Sequence, residues 1–167
     1  NLDELESKIK DLTILDPACG SGAFLVKSVD ILLKIDLEIQ KRKSSNESIA
    51  QTGMDEFNKI KEINLIIENN IHGVDINEES VEITKLSLFL KLAGPRSTLG
   101  YLSNNIKVGN SLIDDKNTSI QNSFSWEDEF PHIMGPLIED KGFDVIVGNP
   151  PWQILKPDVD EFFSNLY

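Results

Sequence analysis

Cysteine is almost missing from this 167-residue chain, with Cys19 the only one. That excludes an internal disulfide and any metal site built from several of its own thiolates, and it fits a reducing, cytoplasmic setting. Histidine is nearly as scarce. Neither His72 nor His132 has a partner at metal-ligand spacing, so each reads as an ordinary structural residue and no metal is expected. No apolar run approaches the roughly 18 residues of a membrane span, and no membrane role is expected. Basic residues are few for a chain that would touch a polyanion: 16 Lys and Arg against 28 Asp and Glu give a net charge of −12. Nucleic acid is repelled by such a surface unless its cations cluster. The basic run Lys41-Arg42-Lys43 passes directly into Ser44-Ser45-Asn46 and reads as a solvated helix end, so these residues are not expected to hold nucleic acid alone. The opening Asn1-Leu2-Asp3-Glu4 carries no Met, basic segment or apolar segment, which reads as a piece of a larger parent without a signal peptide.

Hydrophobic residues make up 40% of the chain, enough for one core, and a single domain is expected. Their spacing alternates between strand and helix. Leu12 to Leu15 is a short β-type run ended by Asp16-Pro17, and Phe24, Leu25, Val29, Leu32, Leu33 and Leu37 then recur at helical spacing as far as Gln40. Residues 41–56 are mostly polar and read as a loop, followed by a helix marked by Phe57, Ile60, Ile63 and Ile67; together residues 41–70 form an insertion. Ile71 to Asp75 is a second strand, followed by a helix that Asn77 can cap and Gly94-Pro95 stops. Ile106 to Val108 is a third strand. A polar connection with a short helix near Ile133 leads to a fourth strand over Phe143 to Val147. This order predicts an α/β fold with a mostly parallel sheet and helices on both faces, in which ligands collect outside the carboxyl ends of the strands. Asp16, Asp75, Asn110 and Asn149 each lie at such an end or within two residues of it.

The string Asn149-Pro150-Pro151-Trp152 puts an amide, two rigid prolines and an indole beyond the fourth strand. Prolines have no N–H to give, so the carbonyls stay free as acceptors. The Asn149 side-chain oxygen and the Pro150 carbonyl can both accept from one exocyclic amino group, and Trp152 offers a face for a flat base. At the first strand, Asp16-Pro17-Ala18-Cys19-Gly20-Ser21-Gly22-Ala23-Phe24-Leu25 is a glycine-containing strand-to-helix turn. A dinucleotide loop would need a third glycine where this chain has bulky side chains, which leaves a nicotinamide oxidoreductase the weakest reading. A Gly-x-Gly turn alone is more often than not a purely structural feature; Asp16 before it can receive the amino group of a zwitterionic ligand. Asp75 is placed to accept from both hydroxyls of a ribose, with Ile76 against an adenine face. Its rival role is a cap on the following helix.

Taken together in this order, Asp16 to Gly22, Asp75, Gly109-Asn110-Ser111-Leu112 and Asn149 to Trp152 resemble the N6-adenine DNA methyltransferases of bacterial and archaeal restriction-modification systems. The first motif and the long insertion are most similar to the single-chain type IIG enzymes, with type I modification subunits close behind. The resemblance implies a Rossmann-like fold for S-adenosylmethionine-dependent methyl transfer, here a single partial catalytic domain over residues 1–167, cut after the strand that carries the fourth motif. It implies S-adenosylmethionine as cofactor, bound by Asp16, Pro17, Ala18, Cys19, Gly20, Gly22, Phe24, Asp75, Ile76, Asn110, Ser111 and Leu112. Asn110 stands where the family usually has Asp, and Trp152 where Tyr or Phe is commoner. Catalysis would fall to Asn149, Pro150, Pro151 and Trp152, acting on N6 of an adenine flipped out of DNA. The resemblance further implies that DNA is held by regions outside this stretch, with a nuclease or specificity domain or subunit as partner, and that the fragment by itself is inactive. Two other readings remain: a protein-glutamine methyltransferase, which also holds a planar amino group with Asn-Pro-Pro and an aromatic, and a non-catalytic scaffold of a restriction complex.

Overall fold

Asn1 opens the first helix with its own side chain. In the computed structural model, which describes residues 1–44, 55–92, 102–112, 124–140 and 142–149, its Oδ1 accepts the Asp3 N–H at 3.2 Å. Asp3 and Glu4 in the first turn and Lys8 and Lys10 in the last complement the dipole of α1 (Leu2–Asp11). Sequence spacing had not marked this helix. It packs on α2 (Ala23–Ser44) and α3 (Asp55–Asn70), and its acids meet the basic run at the end of α2. Lys43 pairs with Asp3 and Glu6 across the two helices, while Arg42 pairs with Glu38 within α2. Lys10 and Lys43 together hold the Glu6 carboxyl down at about 2. The run at 41–43 thus lies on the helix rather than in a loop, and ties two helices together.

Among the described residues four strands form the sheet: β1 (Ile14–Asp16), β2 (Ile71–Asp75), β3 (Ile106–Val108) and β4 (Val145–Ile146), in the order β3-β2-β1-β4 with every pairing parallel. β2 and β3 fall where the periodicity put them. The first strand is shifted toward Asp16, and the fourth is shorter than the apolar run that marks it. Alternate side chains point to opposite faces. Ile14, Ile71 and Ile106 enter the larger core with Leu25, Val29, Ile67, Val81 and Leu88, beneath α2, α3 and α4 (Glu78–Leu92). Leu15 and Val74 enter a second core with Phe124 and Phe130. Helices therefore cover both faces as expected, but unequally. Among the described residues the second face has two single-turn helices, α6 (Trp126–Glu129) and α7 (Pro131–Met134), placed after α5 (Leu102–Asn105) and β3. Aromatic rings make up the difference: Phe124 meets Trp126 edge-on at 4.9 Å between centroids, and Phe130 meets Phe143 likewise at 5.3 Å. Each such pair contributes about 1 kcal/mol beyond its buried area.

Two buried asparagines close helix ends. Asn70 Nδ2 donates to the Leu12 carbonyl at 2.6 Å and the Ile9 carbonyl at 2.8 Å, and Asn105 Nδ2 to the Glu68 and Ile71 carbonyls at 2.8 and 2.9 Å. Carbonyls left over at the ends of α1 and α3 are satisfied this way, without a C-terminal glycine. β4 is joined to β1 by Asp144, whose Oδ2 accepts the Thr13 N–H at 2.7 Å and the Thr13 hydroxyl at 2.8 Å. Those bonds hold the Asp144 carboxyl below its usual range. They also set the register that pairs Ile14 with Val145, and so determine where residues 148 and 149 emerge. No helix among the described residues is long and apolar enough to cross a membrane.

His72 sits within the second face, its ring 5.7 Å from Phe130 and 5.3 Å from Phe143, with Nδ1 buried and lacking a hydrogen-bond partner among the described residues. Burial lowers it to about 4, while the nearby Asn70 and Ile14 carbonyls pull weakly the other way. Between pH 4 and the ordinary value of 6.5 the unfolded chain binds more protons here than the folded one, so stability rises with pH across that window. Above the window the contribution is constant. Acidification from pH 7 to 4 is expected to cost up to about 3 kcal/mol through this residue alone. Urea unfolding at a series of pH values should show this acid loss in the native protein and a smaller one in His72→Gln; equal losses would place the proton elsewhere.

Candidate active site

Strand order turns between β1 and β4, since β2 and β3 extend the sheet on one side of β1 while β4 returns to the other. A crevice outside the carboxyl ends is expected at such a point. Asp16 closes β1 there and is 1% exposed. Its Oδ1 accepts the Ala18 N–H at 3.1 Å. Burial raises its pKa, the Ala18 bond opposes this, and the nearby Asp75 charge raises it further. No cation among the described residues pairs with it. A buried carboxylate so placed favours an incoming cation, because ion pairing would offset the desolvation that raises its pKa.

Gly148 passes directly against it. A Cβ at that position would lie 3.2 Å from Asp16 Oδ1, tighter than an ordinary contact. Backbone approach of this kind brings the first residue of the Asn149-Pro150-Pro151-Trp152 string beside the first motif. Asn149 itself is exposed at the end of β4. Pro150, Pro151 and Trp152 lie outside the described residues.

Residues 17–22 are held by partners from three other segments. The Cys19 N–H donates to the Val74 carbonyl at 2.9 Å, and the Gly20 N–H to Asp75 Oδ2 at 2.8 Å. Ser111 Oγ donates to the Pro17 carbonyl at 2.7 Å, and Thr84 Oγ1 to the Gly20 carbonyl at 2.7 Å. The second and third motifs read from the sequence, at Asp75 and at Gly109 to Leu112, are therefore in contact with the first. Asp75 serves twice, since its Oδ1 also accepts the Asn77 N–H at 2.9 Å, and Asn77 caps α4 by accepting the Ser80 N–H at 2.9 Å. Local capping is thus divided between the two, with acceptor capacity left on both Asp75 oxygens. Asn110 Oδ1 accepts the Leu112 N–H at 3.1 Å, and Gly109 N–H donates to the Asp75 carbonyl at 2.9 Å.

Not every side chain of the first motif faces the crevice. Cys19 is 5% exposed, and burial pushes its thiol up to about 12, so it is a packing residue whose backbone alone lines the turn. Phe24, Ile76 and Leu112 are apolar yet open, at 47%, 60% and 80% exposure. Thr84, fully buried on α4, was not singled out in the sequence; a threonine amid a helical apolar pattern carries no signal of its own. Two cavities of the described residues lie elsewhere, one of about 300 Å³ between α1 and α2 and one of about 760 Å³ at the amino ends of the strands beside His72.

Gly22 has φ +80, and a Cβ on it would lie 2.8 Å from Thr84 Cγ2; Gly20 has φ +53 but open space around it. Both alanine variants would bear the left-handed penalty of about 1 kcal/mol, and only Gly22→Ala would also press on α4. Gly22→Ala is expected to lower the thermal midpoint by about 5 °C or more, and Gly20→Ala by about half that. Similar losses in calorimetry would show that the Thr84 contact yields easily.

The chain resembles known proteins along most of its length. A family model described as Eco57I restriction-modification methylase matches residues 69–166. The type II restriction enzyme and methyltransferase RM.Eco57I of Escherichia coli is 33% identical over 165 residues, 91% of this chain and 15% of its own length. The putative type II restriction enzyme and methyltransferase RM.MjaORFECS2P of Methanocaldococcus jannaschii is 38% identical over 121 residues, 67% of this chain and 9% of its own. The adenine-specific methyltransferase PglX of Streptomyces coelicolor is 26% identical over 179 residues, 95% of this chain and 13% of its own. The chain thus spans a small part of these relatives.

Proposed function

This chain belongs to the Eco57I restriction-modification methylase family, and from that premise we propose that its site transfers a methyl group from S-adenosylmethionine to N6 of an adenine turned out of DNA, as part of a restriction-modification protein. The observation that carries the reading is the approach of Gly148 to Asp16, which joins the end of β4 to the turn after β1 at the point where strand order reverses.

The residues present fit such a cofactor. Asp16, buried and without a cationic partner among the described residues, suits its ammonium group. Asp75 retains acceptor capacity for two ribose hydroxyls, Ile76 and Phe24 offer exposed apolar surface to an adenine ring, and Asn110 can accept from its amino group. When bound, the cofactor supplies a methyl group on a sulfonium. The chain's own contribution is positional. Adenine N6 is a poor nucleophile because its lone pair is delocalised into the ring. Two acceptors, the Asn149 side-chain oxygen and the Pro150 carbonyl, would draw both N–H bonds to one side and favour a pyramidal nitrogen with its lone pair free. No separate general base is needed to form the bond, since the methyl–sulfur bond breaks as it forms and the extra N6 proton can leave to solvent afterwards, and much of the rate would come from alignment. Trp152 would stack on the displaced base and offset about 1–3 kcal/mol of lost stacking. With a net charge of −12, these residues are not expected to grip the DNA backbone, a task left to other parts of the complete protein.

The test is methyl transfer by the complete protein from labelled S-adenosylmethionine to genomic DNA, followed by digestion to nucleosides. Label in N6-methyladenine is the expected result. Unlabelled DNA with label in an added release factor would instead give the protein-glutamine reading, and no transfer at all with the cofactor bound would give the scaffold.

A further inference from the structure

Thr84 is 0% exposed and lies on α4, yet its hydroxyl reaches the turn after β1. A buried threonine within a helix ordinarily returns its proton to a carbonyl one turn back. Here Oγ1 stands 2.7 Å from the Gly20 carbonyl, while its methyl group fills the space a Gly22 side chain would need. The consequence falls on the other half of the same peptide unit. No described peptide bond is cis, so the Ser21 N–H is antiparallel to the Gly20 carbonyl. Pinning that carbonyl on α4 turns the Ser21 N–H away from α4. Ser21 is exposed, and no described residue accepts from this N–H. On the opposite side, the Gly20 N–H is committed to Asp75 Oδ2. The peptide before Gly20 and the peptide after it are thus fixed by different segments, and one donor is left pointing outward.

We propose that Thr84 is a positioning residue for cofactor binding, its hydroxyl fixing the Gly20–Ser21 peptide so that the Ser21 N–H donates to the carboxylate of S-adenosylmethionine. This deepens the reading of the site as a methyl-donor site and rests on it. The same turn then meets both charges of the amino-acid end, the ammonium at Asp16 and the carboxylate at Ser21. A hydroxyl that never touches the ligand contributes by removing alternative orientations of one peptide, which is a pre-organisation effect.

Binding of S-adenosylhomocysteine and of 5′-methylthioadenosine to the complete protein separates the possibilities. The second ligand has the adenosine and sulfur but no carboxylate. Thr84→Val is expected to weaken S-adenosylhomocysteine about tenfold, the scale of one hydrogen bond to a charged group, and to leave methylthioadenosine unchanged. Thr84→Ser, which keeps the hydroxyl, is expected to restore the wild-type ratio of the two affinities. Should Thr84→Val not fold, Thr84→Ala against Thr84→Ser makes the same comparison, as these differ only in the hydroxyl. Equal weakening of both ligands, or of neither, would overturn the role of Thr84 while leaving the donor-site reading intact. A wild-type protein that bound neither ligand would overturn both.

Discussion

Replacing Asn149 with alanine is expected to lower methyl transfer by about three orders of magnitude, the scale seen when one preorganised polar group at a reacting atom is removed, while cofactor affinity stays within about twofold. The division follows from where Asn149 stands. Its side chain is exposed and makes no hydrogen bond to the described residues of the turn, whereas Gly148, one residue earlier, is the residue pressed against Asp16. Truncation at 149 therefore removes an acceptor without loosening the backbone that brings it there, and the register of β4 remains fixed by Asp144 and Thr13. Uniform loss of ground-state binding would raise KM and spare kcat; loss of an interaction made to the reacting amino group lowers kcat. Single-turnover transfer to DNA, measured beside cofactor titration, distinguishes these. A parallel fall in cofactor affinity would place Asn149 in the cofactor site and contradict its assignment to the target base.

Much of the fold and part of this site could be read before any coordinates. β2 and β3 are bounded by turn residues and rich in β-branched side chains, so periodicity located their ends, and strand order alone brought Asp16, Asp75, Asn110 and Asn149 to one edge of the sheet. What escaped was whatever depends on partners distant in sequence. α1 has a capping Asn1 and apolar residues at Leu2, Leu5 and Ile9, but its reason to form lies in α2 and α3, against which it packs. The connection that runs up to the fourth strand, Phe124 and Phe130 included, reads as polar because its acids and prolines outnumber its rings. Folded, the rings converge and the polar groups face outward, so a segment with little periodicity covers one face of the sheet. Thr84 escaped for the same reason: its acceptor is a carbonyl in another segment, and nothing in its own neighbourhood points to one.

Asp75→Ala should cause the largest loss of cofactor affinity of any single change here, larger than removal of a ribose contact alone would explain. One carboxylate receives the Gly20 N–H of the turn and the Asn77 N–H at the start of α4, and is the proposed acceptor for the ribose. Hydrogen bonds to a charged group contribute about 1.5–3 kcal/mol each, so loss of the two internal bonds alone would destabilise the turn by a comparable amount. Cofactor affinity is expected to fall by at least about a hundredfold, and the thermal midpoint of the free protein to fall as well. Asp75→Asn sharpens the test. Its amide oxygen can still accept one of the two N–H groups, but its amino group would face the other, setting donor against donor at either Gly20 or Asn77. A residue that only bound ribose would tolerate this change in the absence of ligand. Calorimetric unfolding of the free Asp75→Asn protein is therefore expected to show a lower midpoint than wild type, and an unchanged midpoint with weakened cofactor binding would return Asp75 to a purely ligand-binding role.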